Sequence, residues 1–96
     1  MPQFLILAND YIDEDCLTRR IKTRPAHLQR MQTEKMKGIF ITGGALLTDN
    51  GKMNGSMLVV ELENKNAVEK WIENDPYLIE KVWNEIKILP FRTAAV

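Results

Sequence analysis

Apolar residues along this chain keep two rhythms, and the changes from one to the other mark out its elements. Phe4-Leu5-Ile6-Leu7-Ala8 is an unbroken apolar run that gives way to Asn9 and Asp10, as a buried strand bounded by turn residues does. From Asp13 to Arg20 the pattern is helical. A second helical segment begins at Pro25, where a missing N–H costs nothing in the first turn, with Thr23 or Arg24 at the cap. It runs to Lys37, because Lys35 and Lys37 suit the negative helix end and Gly38 is a natural terminator. Residues 39–48 read as a strand interrupted by Gly43 and Gly44, and residues 55–63 as its antiparallel neighbour across an Asp49-Asn50-Gly51 turn.

A further helix opens with Asn64, or with Asn66 and Glu69 in a capping box. It sets Val68, Trp71 and Ile72 on one face. Asp75 continues that stripe seven residues after Val68, so a carboxylate falls on the inward side, and Pro76 ends the helix there. A short apolar turn over Tyr77, Leu78 and Ile79 leads to a last strand over residues 85–92, whose Pro90 suits a sheet edge.

The order β-α-β-β-α-β predicts an α+β fold, a ferredoxin-like plait with one four-stranded antiparallel sheet and its helices on one face. In the first strand Phe4 and Ile6 oppose Leu5 and Leu7; in the second, Ile39 and Ile41 oppose Phe40 and Leu46. A sheet with one wet face alternates apolar and polar residues more cleanly, so the second face calls for an apolar cover, and a second copy of the chain is the economical one. The expected assembly is a homodimer through its sheet faces, open to further stacking.

At 96 residues the chain is a single domain with a core that association would help to stabilise. Thirteen basic residues balance thirteen acidic ones, which gives no pull toward nucleic acid or an anionic membrane, and no apolar run reaches the roughly 20 residues that span a bilayer. The first ten residues do not fit a secretory signal, and a single cysteine forms no internal disulfide, so the expected location is cytoplasmic. Cys16 reads as a small hydrophobe at a helix start rather than a nucleophile. No metal-binding set is present, since one histidine among scattered carboxylates is a poor zinc site.

Candidate chemistry gathers on His27, the only histidine, and on Asp75. Histidine titrates near neutrality, and a carboxylate on one ring nitrogen fixes the tautomer and makes the other nitrogen the better base. His27 lies at the border of the stripe made by Leu28 and Met31, where a working base sits; the alternative is a histidine bonded to a backbone carbonyl. Asp75 either orients His27 or caps the turn that follows it. Arg24 either holds an anionic substrate group or pairs on the surface, and Ser56 either orients a ligand or is simply tolerated in its strand. Gly43 and Gly44 allow close approach of ligand or backbone, or mark a bulge.

Arg24-Pro25-Ala26-His27-Leu28, Gly43-Gly44, Gly55-Ser56 and Asp75-Pro76-Tyr77, in this order, resemble the YciI-like (YCII-related) family, and the resemblance spans nearly the whole chain. It implies a dimeric α+β barrel with a pocket centred on His27 and Asp75 as a catalytic pair; Arg24, Gly44 and Ser56 are candidates for substrate contact on their own chemistry alone. The chain differs from commoner members in having Gly44-Ala45-Leu46 where Gly-Pro is usual. By analogy with related barrels, the expected activity is a cofactor-independent isomerase or lyase acting on a small cyclic or aromatic molecule; the alternative is a non-catalytic dimer binding a small metabolite.

Overall fold

The computed structural model describes all 96 residues. Its elements are β1 (Gln3–Asp10), α1 (Cys16–Met36), β2 (Phe40–Leu47), β3 (Met53–Glu61), α2 (Lys65–Ile72), α3 (Pro76–Ile79) and β4 (Trp83–Phe91). The strands form one antiparallel sheet in the order β2-β3-β1-β4, the expected plait with a short third helix added. β4 is an edge strand, which is where Pro90 was expected. No helix is long and apolar enough to cross a membrane.

The two helical segments expected before Gly38 are one helix, and Thr23 and Arg24 lie inside it rather than at a cap. Pro25 removes a single bond, the one that would go to the carbonyl of Ile21, and Ile21 is 58% exposed, so water can replace it. The buried stripe Cys16, Arg20, His27, Met31 and Glu34 passes Pro25 without a change of phase, and this packing holds the helix together. Gly38, at φ +80°, closes α1 in a Schellman motif: Ile39 N–H donates to Glu34 O at 3.0 Å and Gly38 N–H to Lys35 O at 3.0 Å.

α2 is capped by Asn64, whose Oδ1 accepts from Ala67 N–H at 2.8 Å, and Asn66 lies within the helix. It ends at Ile72, three residues before the expected Asp75. Val68, Trp71 and Ile72 are buried as the spacing required. They join Phe4, Ile6, Leu58 and Val60 in the core between the helices and one face of the sheet, where each such side chain contributes about 1.5–3 kcal/mol by leaving water.

In β2 the pairing with β3 shifts between Phe40 and Thr42, which changes the alternation expected there. Phe40 pairs with Val60 and packs against the helix-side core, whereas Leu46 pairs with Gly55 and falls on the other face. Phe40 and Leu46 therefore do not share a face. Leu5, Leu7 and Met57 stay half-buried, and Leu89 is 43% exposed, on the face that no helix covers.

Candidate active site

Asp75 sits at the start of α3, where the residue before a proline is extended and its side chain can turn back on the next peptide. Its Oδ1 accepts from Tyr77 N–H at 2.9 Å, so it caps the turn. The same carboxylate lies 2.9 and 3.1 Å from His27 Nδ1. Capping and orienting, the two alternatives for this residue, are both filled by one side chain. Arg30, on α1, donates from Nη1 to Asp75 Oδ2 at 3.0 Å and from Nη2 to the carbonyl of Trp71 at 2.6 Å, with its guanidinium 4.2 Å from the centre of the Trp71 indole. Asp75 has no solvent exposure, and Arg30 supplies the countercharge that such burial demands.

With a carboxylate facing Nδ1, that nitrogen carries the hydrogen in the neutral ring, and Nε2 keeps a lone pair that no protein group engages. The imidazole is held flat against Tyr77, with ring centroids 4.1 Å apart and planes 20° apart, and meets Trp83 edge-on at 5.8 Å. His27 is therefore fixed in tautomer and in plane.

His27 lines a cavity of about 160 Å³ between α1 and the β2-β3 hairpin, walled on its apolar side by Leu28, Met31, Phe40 and Leu58. An apolar cavity of about this size holds one benzene ring. Arg24 borders it from the exposed side of α1. Ser56 borders it too, buried, with its Oγ accepting from Arg20 Nη2 at 2.6 Å and from Trp83 Nε1 at 3.0 Å. Gly44 contributes backbone only: it pairs with Met57, so a side chain there would project from the opposite face of the sheet, where a Cβ would meet nothing. Gly43 is the glycine in close contact, because a Cβ on it would lie 2.5 Å from Met57 O and 3.0 Å from the Phe40 ring.

Four residues of this site escape a reading of the sequence. Arg20, 2% exposed, donates from Nε to Asp10 Oδ2 at 2.8 Å and from Nη2 to Gly55 O at 2.6 Å, with its Cζ 4.6 Å from the Tyr77 ring centre. Asp10, expected in a turn, is the buried last residue of β1. Arg30 and the ring of Tyr77 complete the set. The usable signal was the spacing of seven between Arg20 and His27, which puts both on one face once α1 is continuous. Cys16 is buried and hydrogen-bonded to the carbonyl of Val82; burial, with the nearby Asp10 charge, pushes its thiol up, as befits a packed hydrophobe.

Comparison with known proteins locates this architecture. Residues 3–92 match the YCII-related domain. The chain is 32% identical over 95 residues to Protein YciI of Escherichia coli O6:H1, covering 93% of this chain and 95% of that one. It is 26% identical over 95 residues to an uncharacterized protein of Haemophilus influenzae, with the same coverage. Among solved structures it resembles 5-chloro-2-hydroxyhydroquinone dehydrochlorinase of Burkholderia phenoliruptrix, in complex with 2,5-dihydroxybenzoquinone, at TM-score 0.80 and 28% identity over 96% of this chain and 95% of that one. A dimeric ferredoxin-like protein from an uncultured marine organism shares the fold at TM-score 0.57 and 13% identity, over 100% of this chain and 99% of that one.

Proposed function

From the premise that this chain belongs to the YCII-related family, we propose that it is a cofactor-independent enzyme of isomerase or lyase type. Its substrate is a small cyclic or aromatic metabolite that loses a proton to His27. The observation that carries this reading is His27 Nδ1 at 2.9 Å from Asp75, with Nε2 unengaged at a cavity sized for one ring. As Nε2 takes the proton, the bond to hydrogen breaks, its electron pair moves onto the adjoining carbonyl, and Asp75 stabilises the imidazolium. The proton then returns to another atom, or a leaving group departs. A positioned base of this kind contributes about 10² to 10⁴ in rate. The structural likeness to a dehydrochlorinase supports the class, since loss of hydrogen chloride is itself a proton removal with departure of chloride.

Thermal-shift screening of small cyclic acids, lactones and hydroxylated rings finds ligands by mass action. Ligands that raise the melting temperature are then incubated in D₂O and followed by NMR. Wild type should exchange or convert one of them, and His27→Asn should bind it without turnover. Equal turnover by His27→Asn would sink the proton-transfer reading, and binding without turnover by wild type would leave a binding module.

The same proposal includes a cytoplasmic homodimer closed over the second sheet face, supported by Leu5, Leu7, Met57 and Leu89 on that face. Sedimentation at micromolar concentration tests it, and a stable monomer would refute it. The balanced charge supports a small molecule, rather than nucleic acid, as the partner of the site.

A further inference from the structure

The ionic groups around the cavity do not cancel. Arg20 is paired with Asp10, and Arg30 with Asp75. Arg24 lines the cavity with no carboxylate partner, and neither Asp nor Glu is among the lining residues. The cavity wall is therefore net positive.

The hydrogen bonds are unbalanced in the same sense. Arg20 spends Nε and Nη2 on Asp10, Gly55 and Ser56, while Nη1 has no protein partner although the residue is 2% exposed. Ser56 accepts from two N–H groups, neither of which can accept in return, so its own hydrogen is left to donate. Tyr77 is 1% exposed and its hydroxyl has no partner. Every polar side-chain atom sealed from solvent in this protein is hydrogen-bonded, so the unpaired Arg20 and Tyr77 groups are not fully sealed, and both residues line this cavity. Burial raises the Tyr77 phenol, against the pull of Arg20 and Arg24, so the hydroxyl stays protonated, as a donor, across the neutral range.

We propose that Arg20 Nη1, Ser56 and Tyr77, in the field of Arg24, form an oxyanion subsite beside His27, and that the ligand is a one-ring compound carrying a phenolate or enolate oxygen. The proposal rests on the reading of His27 as the base and specifies where the electrons go. When the proton leaves for Nε2, the electron pair of its bond moves to the neighbouring oxygen, and unspent donors meet that charge without reorganisation. Arg20 is in turn held by Asp10, a positioning residue that touches no ligand.

The test compares 4-nitrophenolate with its uncharged methyl ether, 4-nitroanisole, by tryptophan fluorescence at a pH above the phenol's own ionisation. Wild type should prefer the phenolate by about tenfold or more, as a charge-assisted hydrogen bond implies, and added salt should reduce that preference. Tyr77→Phe removes a hydroxyl with no protein partner, so its melting temperature should hold while the preference shrinks. Arg24→Gln, at an exposed position, should shrink it as well. Equal affinity of wild type for the two probes would overturn the subsite, as would a preference untouched by both variants. Loss of the preference in His27→Asn alone would assign the anion to an imidazolium and also overturn it. The proton-transfer reading fails by a different result, full turnover by His27→Asn, which leaves the phenolate preference intact.

Discussion

Arg30 Nη1 lies 3.0 Å from Asp75 Oδ2, on the carboxylate that also faces His27. The bond joins the middle of α1 to the start of α3, so the helix that carries the imidazole also carries the charge that holds its orienting partner. Arg30→Met leaves a fully buried carboxylate without its cation, and breaking a buried pair from one side costs about 3–5 kcal/mol. Urea denaturation should show that loss, and an unfolding free energy within 1 kcal/mol of wild type would show that the pair is not formed in solution.

Asp75→Asn keeps an oxygen that can cap Tyr77 but no longer offers a carboxylate to Nδ1. The neutral His27 ring is then free to move its hydrogen to Nε2, which would remove the lone pair from the cavity. Ring ¹⁵N NMR should find hydrogen on Nδ1 in wild type and a shift toward Nε2 in the variant, with turnover of a ligand found by screening reduced by about 10² or more. The same tautomer in both proteins would separate Asp75 from the chemistry and leave it as a cap.

Gly43 and Gly44 are adjacent and should behave oppositely. A methyl at Gly43 meets Met57 O and the Phe40 ring, so Gly43→Ala must push β2 away from β3 and should cost about 1–3 kcal/mol. Gly44→Ala meets nothing within its own chain, so the fold of one protomer should stay within about 0.5 kcal/mol of wild type. Thermal melts of the pair decide it, and equal melting temperatures would contradict the pairing described for β2.

Glu34 provides an acid-sensitive contact away from the site. Burial works against its charge, but hydrogen bonds from Trp71 Nε1 at 2.6 Å and from Lys37 hold its carboxyl below the ordinary 4.5. A carboxyl lowered on folding contributes stability that is fully present above the ordinary value and is lost as pH falls through the lower folded value. Denaturation midpoints from neutral pH down to about pH 3 should therefore fall more steeply in wild type than in Glu34→Gln below the ordinary carboxylate range. Parallel profiles would remove Glu34 from the acid response.

How much of this was legible in the chain depended on the range of the interaction. Order and type of the main elements, the Asn-Gly hairpin, the Gly38 stop and the inward Val68-Trp71-Ile72 face follow from local sterics and periodicity, which act within a few residues. The Arg-Pro-x-His-Leu and Asp-Pro-Tyr segments also disclosed the family and drew attention to His27 and Asp75.

Other features were decided by groups distant in sequence. Pro25 stays inside α1 because the packed stripe on either side of it outweighs one missing hydrogen bond at a wet position, an energy that local propensity does not contain. Phe40 and Leu46 part company because a one-residue shift against β3 reverses the alternation between them. Arg20 is buried because Asp10 and the carbonyl of Gly55, ten and 35 residues away, replace its water. Only the folded chain brings those partners together, and sets Arg20, Ser56 and Tyr77 in the same cavity lining as His27.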